Sequence, residues 1–107
     1  MKQPPRLTSR GLELVAGKFK ALSDPTRLAV LQSMMAAERT VTEIVEATGA
    51  SQPNVSRHLA VLHRAGIVRR RKAWPHCLYS IADPSVYEVC KAMCASAARS
   101  DEPIFEQ

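Results

Sequence analysis

Ser51-Gln52-Pro53-Asn54-Val55-Ser56-Arg57-His58-Leu59-Ala60-Val61-Leu62-His63-Arg64-Ala65-Gly66-Ile67-Val68-Arg69-Arg70-Arg71-Lys72 is the stretch that decides the fold. Val55, Leu59 and Leu62 recur at steps of four and three, so a helix puts them on one side. Ser51 stands where a cap accepts the free N–H groups of the first turn, and Pro53 suits that turn. The opposite side carries Gln52, Ser56 and Arg57, with Asn54, His63 and Arg64 on the flank. Ala65-Gly66 ends the helix. Ile67 to Lys72 then reads as a strand holding four successive cations, Arg69, Arg70, Arg71 and Lys72. Strand side chains alternate between faces, so four cations in a row cannot all face a core. A phosphate backbone accepts them. A polar helix face alone, or a charge run alone, is ordinary solvated surface; one directly after the other suggests a helix that reads base edges and a strand that lies along phosphates.

The neighbouring segments fit around this pair. Downstream, Trp74-Pro75 reads as a turn and His76 to Ile81 as a second strand, closing a hairpin. Trp74 is expected to pack on that turn. Upstream, Thr42 to Thr48 reads as a short helix that Gly49 ends, a residue free to take positive φ. Two helices joined by so short a connection meet at a steep angle, as in a helix-turn-helix. Asp24-Pro25 opens an earlier helix running to about Ala37, with Leu28, Leu31 and Met35 inward. Ser9 to Leu22 repeats Leu12, Val15, Phe19 and Leu22 at helical spacing. Asp83-Pro84 opens a last helix to about Ala98, with an inner stripe of Val86, Val89 or Cys90, Met93 and Ala97. The expected fold is mainly α with a small β-hairpin, a winged helix-turn-helix in the order four helices, two strands, one helix. Residues 9–98 form the single domain, 1–8 a loose arm and 99–107 a frayed polar tail. The first and last helices carry apolar stripes, Leu12-Val15-Phe19 and Val86-Val89-Met93, that one small domain cannot cover. A homodimer through these two helices is expected.

The chain's 107 residues allow one core. Fifteen Lys and Arg against ten Asp and Glu give a net charge of +5. That balance suits double-stranded DNA as partner, although charge alone does not exceed what a merely basic soluble protein shows. No apolar run approaches the roughly 20 residues that cross a bilayer. Met1 to Arg6 leads into no signal core, so the expected location is the cytoplasm, with no membrane partner. There the three cysteines, Cys77, Cys90 and Cys94, are expected to be reduced. No enzyme is expected. A thiol oxidoreductase is the best alternative of that class, yet no Cys-x-x-Cys precedes a helix, and no Ser-His-Asp set or glycine-rich phosphate loop stands out. A winged helix that contacts protein instead of DNA is a further alternative.

Several motifs now align with one family. Lys20-Ala21-Leu22-Ser23-Asp24-Pro25-Thr26-Arg27-Leu28, Ser51 to Leu59, Leu62 to Val68 and Tyr79-Ser80-Ile81 together resemble the ArsR/SmtB family of bacterial repressors, over about Phe19 to Ala98. The resemblance implies a homodimer built on the first and last helices. It implies an inverted-repeat operator, and release by an inducer that is often a metal or metalloid ion or a thiol oxidant. It places Gln52, Asn54, Ser56, Arg57 and His58 in the recognition helix. Three departures stand out. The short helix holds Thr42-Glu43-Ile44-Val45-Glu46 where soft-metal sensors of the family carry a cysteine pair. The last helix holds Glu88 but no histidine, so the family's zinc site is missing too. Trp74-Pro75 stands where the family's wing usually has glycine and arginine, leaving phosphate contacts to Arg69 to Lys72.

Cys90 and Cys94 lie four apart on the last helix, with β-carbons about 6 Å apart. A disulfide wants about 3.8 Å, so a bond within one straight helix is strained. A bridging ion is easier, since two sulfurs about 2.3 Å from one ion lie within reach of each other. Two thiolates without oxygen ligands favour a soft ion. Trivalent arsenic or antimony is the first choice of inducer, with other thiophilic ions beside them; no cofactor is required otherwise. Cys77 is a candidate third ligand, or a core residue alternating with Tyr79 and Ile81. Three readings of these thiols stay open: ion ligands, redox sensors, or small apolar packing groups. His58 and His63 read as phosphate-contacting or packing residues rather than ligands.

Overall fold

Capping explains where most of the helices begin. The computed structural model describes residue 3, residues 5–100 and residues 102–106. Part of the expected arm (residues 1, 2 and 4) and of the expected tail (residues 101 and 107) lies outside the described residues. Helix α1 spans Ser9–Leu22, α2 Pro25–Ser33, α3 Val41–Thr48 and α4 Gln52–Arg64. Strands β1, Val68–Ala73, and β2, His76–Ile81, follow, and α5 spans Pro84–Ala97. Thr8, Asp24, Thr40, Ser51 and Asp83 cap the five helices, each accepting a first-turn N–H. At α3 the cap is reciprocal, because Glu43 also accepts from the Thr40 N–H. Gly49 ends α3 at φ 73°, and Gly66 turns the chain from α4 into β1 at φ 74°, a region that glycine enters without strain.

The core lies where α2, α3 and α4 meet the hairpin. Val30 and Leu31 of α2, Ile44 of α3, Val55, Leu59 and Leu62 of α4, and Ile67 before β1 are closed to solvent, and Val86 brings the start of α5 onto them. Burial of each such side chain contributes about 1.5–3 kcal/mol against the entropy of ordering the chain. The strands pair antiparallel, Val68 opposite Ile81 and Ala73 opposite His76, so Trp74-Pro75 alone connects them.

Four sequence expectations need correction. Helix α2 ends at Ser33, not Ala37. The Arg39 backbone pairs with Tyr79 on the free edge of β2, in two hydrogen bonds of 2.9 and 2.8 Å, and Arg39 Nε donates to the Ser33 carbonyl. These contacts pull residues 34–39 out of helical form. The inward residues are Val30 and Leu31 of α2 and Met34 just beyond its end, while Leu28 is exposed and Met35 half-buried. On α5 only Val86 is buried; Val89 and Cys90 are half-buried, and Met93 and Ala97 are exposed, because the helix runs beyond the edge of the core. Trp74 does not pack on its turn, being 93% exposed at the hairpin tip.

Candidate nucleic-acid interface

Helix α4 is set by its back. Val55, Leu59 and Leu62 are sealed in the core, which fixes the rotation of the helix and turns the opposite face outward. Gln52, Asn54, Ser56 and Arg57 are all exposed on that side. Asn54 Oδ1 accepts from the Arg57 guanidinium, so the arginine fork is steered along the helix rather than left to sample solvent. His58 stands apart from them. It is half-buried against α2, with Nδ1 3.4 Å from the Arg27 guanidinium. Arg27 also donates to the Ala21 carbonyl at 2.7 Å, so it ties the end of α1, the start of α2 and the middle of α4 together.

The hairpin leaves α4 directly. Arg69, Arg70, Arg71 and Lys72 are exposed, as four strand cations must be. Strand alternation sends Arg69 and Arg71 to one face, and Arg70 and Lys72 to the other, opposite Tyr79 and Cys77. Arg71 is not free: it forms a fork to both oxygens of Glu38, at 2.8 and 3.2 Å, and this hydrogen bond holds the Glu38 carboxyl below its ordinary pKa. Among the described residues Arg69, Arg70 and Lys72 join no salt bridge. The Arg71–Glu38 tie had no sequence signal beyond opposite charge, since 33 residues separate the partners. What results is an outward row of hydrogen-bonding side chains beside a strand on which three of four cations join no salt bridge among the described residues, the chemistry that meets base edges and phosphates.

The thiols lie elsewhere. Cys90 is half-buried against the core, Cys94 is exposed one turn later, and Cys77 is half-buried on β2. Burial pushes the Cys90 thiol up, and neighbouring Cys94 adds to the rise, so its proton is held. Among the described residues no group of three or more His, Cys, Asp or Glu could hold a metal ion, so one protomer does not bring Cys77 together with Cys90 and Cys94. The donor set that α5 itself offers is two free thiols four residues apart. Near the start of the same helix, Lys18 of α1 bonds Asp83 at 2.5 Å and draws its carboxyl down to about 2, with the Ser85 hydroxyl assisting. Beside that contact an apolar groove opens between α1 and α5, lined by Val15, Phe19, Leu22, Val86 and Val89. No helix of the described residues is long and apolar enough to cross a membrane.

Known proteins share this arrangement. A family model described as bacterial regulatory protein, arsR family, matches residues 24–70. A Streptomyces lividans protein named "Probable mercury resistance operon repressor" is 46% identical over 80 residues, which cover 74% of this chain and 64% of that protein. An uncharacterised HTH-type transcriptional regulator of Methanocaldococcus jannaschii is 39% identical over 80 residues, covering 74% of this chain and 90% of its own length. Among solved structures, a Mycobacterium bovis domain described as a homodimeric winged helix-turn-helix DNA-binding domain superposes with a TM-score of 0.80 at 27% identity. That superposition covers 100% of this chain and 99% of the other.

Proposed function

Because the chain belongs to the arsR family of bacterial regulatory proteins, we propose that two copies sit on one operator as a transcriptional repressor and leave it when a soft ion reaches Cys90 and Cys94. One observation carries the DNA-binding part. The exposed row Gln52, Asn54, Ser56 and Arg57 is fixed by a fully buried back, and three strand cations that join no salt bridge among the described residues follow it. A rigid helix with a polar front fits the major groove, which admits an α-helix and presents a distinct pattern for each base pair. The apolar groove between α1 and α5, with exposed Phe19 in its lining and exposed Leu12 and Met93 on the same two helices, supports a second copy seated there. Two-fold symmetry then calls for an inverted repeat with half-site centres about 34–36 Å apart.

The inducer reading rests on Cys90 and Cys94, the two thiols that share one face of α5. Soft ions select thiolates. Trivalent arsenic and antimony remain candidates, with a thiol of the second copy as third ligand. Mercury joins them, since two thiolates satisfy it and the Streptomyces lividans relative carries that metal in its name. The ion displaces the thiol protons, strains the dimer-forming helix and tilts the two reading helices off register. A tenfold loss of operator affinity takes only about 1.4 kcal/mol of coupling.

The experiment is a titration of duplex DNA from upstream of the protein's own gene. Arg57→Ala, folded by circular dichroism, is expected to weaken binding by about 1–3 kcal/mol; unchanged affinity overturns the reading helix. The same titration with arsenite, antimonite or mercuric ion is expected to show release from the wild type but not from Cys90→Ser or Cys94→Ser. Wild-type release from both variants removes the thiol pair from the mechanism. Release from the wild type by an oxidant alone makes the protein a redox sensor instead.

A further inference from the structure

Arg27 carries a charge that forms no salt bridge among the described residues, although its side chain is half-buried at the start of α2. Its Nε donates to the Ala21 carbonyl at 2.7 Å, and its Nη1 lies 3.4 Å from Nδ1 of His58 on α4. Asp24, the nearby acid, accepts the Arg27 backbone N–H at 2.9 Å instead of the guanidinium. A guanidinium has only N–H donors, no acceptor, and does not lose its proton in proteins. Facing it, Nδ1 of His58 can only accept. A neutral imidazole holds a single ring proton, so that proton sits on Nε2. The contact with Arg27 therefore settles which tautomer His58 holds.

The far nitrogen is where the tautomer matters. Nε2 has no hydrogen-bond partner among the described residues, and no side-chain nitrogen or oxygen there is buried without one, so Nε2 is open to solvent. His58 follows Asn54 by one helical turn and Val55 by three residues, which puts it on the flank between the sealed back of α4 and its exposed row. An Nε2–H on that flank is an uncharged donor beside Asn54. DNA offers it acceptors in phosphate oxygens and in base edges. We propose that His58 gives DNA a neutral Nε2–H hydrogen bond, and that Arg27 is the positioning residue that keeps the proton on Nε2. This rests on the DNA-binding reading above and adds a contact of a different kind to it. A neutral donor releases no counterion, so its worth does not change with salt as that of a strand cation does.

The test uses the full chain and one duplex that it selects from a random-sequence pool, each variant being checked for native helix content. Two substitutions divide the ring. His58→Asn keeps an acceptor close to where Nδ1 stood but lacks the far donor, whereas His58→Gln carries an amide N–H out to the place of Nε2. His58→Asn is expected to weaken binding roughly threefold to tenfold for each half-site, the worth of one hydrogen bond, and to leave the slope of log K against log salt unchanged. His58→Gln is expected to restore most of the wild-type affinity. Arg27→Met, which keeps an aliphatic stem but no donor, is expected to weaken binding by a similar factor, and to have no further effect when combined with His58→Asn. Nitrogen NMR of the free wild type at about pH 8, above the ordinary histidine range, is expected to show the His58 ring proton on Nε2 alone. In Arg27→Met it is expected to divide between the two nitrogens. If Arg27→Met does not fold, the wild-type ring spectrum and the two His58 variants decide. A proton on Nδ1 in the wild type, unchanged affinity in His58→Asn, a salt slope flattened there by about one unit, or equal losses in His58→Asn and His58→Gln overturns the proposal and leaves DNA binding standing. Additive losses in the Arg27→Met, His58→Asn pair overturn the positioning role of Arg27. A wild type that binds no duplex overturns both readings.

Discussion

Arg69 and Arg71 point to the same face of one strand, yet among the described residues Arg71 is paired and Arg69 joins no salt bridge. Each free cation that meets a phosphate steepens the fall of log K with log salt by about one unit. Replacing Arg69, Arg70 or Lys72 by Ala is therefore expected to flatten that slope by up to about one unit each. Arg71→Ala is expected to change it less, because Glu38 already neutralises the guanidinium. Glu38→Gln frees Arg71 and is expected to steepen the slope. Affinities measured at several salt concentrations decide; a flatter slope in Glu38→Gln contradicts the argument. Asp83 gives a second residue-scale prediction. Its carboxyl is held at about 2 against an ordinary 3.8, chiefly by the hydrogen bond from Lys18. A lowered folded pKa contributes stability that is present above the unfolded value and lost as pH falls toward the folded one. The thermal stability of the wild type is thus expected to fall as pH drops from about 4 to about 2. Lys18→Met is expected to shrink that pH dependence. An unchanged slope in Lys18→Met shows that Lys18 does not hold the carboxyl down.

Caps and periodicity made the elements legible, and tertiary pairing hid the rest. Asp24-Pro25, Ser51 with Pro53, and Asp83-Pro84 each mark a helix start within the residues themselves, and the structure begins helices there. The end of α2 carries no such mark. Met34, Met35, Ala36 and Ala37 favour helix, and only the pairing of Arg39 with Tyr79, 40 positions away, stops it. The same remoteness hid the Arg71–Glu38 fork, 33 residues apart. Legibility of the candidate interface was similarly divided. The polar front of α4 followed from the apolar repeat behind it, but the half-burial of His58 depends on Arg27 in another helix. The element-scale prediction concerns that apolar repeat. Leu59 is closed to solvent between α4 and its neighbours. Leu59→Ala is expected to cost about 2–5 kcal/mol of unfolding free energy in denaturant titrations. A loss below about 1 kcal/mol would show that the back of α4 does not fix its orientation.

At the scale of the whole molecule, much of the exposed apolar surface lies on two helices, Leu12, Leu14, Val15 and Phe19 on α1 and Tyr87 and Met93 on α5. Phe19, 57% exposed beside the groove between these helices, is the side chain a second copy is expected to cover. Phe19→Glu is expected to shift sedimentation from dimer to monomer at micromolar concentration, and to weaken operator binding with the loss of the second half-site. A variant that stays dimeric, or a wild type that is already a monomer, contradicts this assembly. The bare wing tip has one more consequence, for how folding of this protein is observed. All indole emission comes from Trp74, a ring as wet in the folded chain as in the unfolded one. The native protein is therefore expected to emit at the long wavelength of a denatured one. Urea titrations followed by that emission will look almost flat while the helical signal collapses, and a shift to shorter wavelength reports a covering that the chain's own fold does not supply.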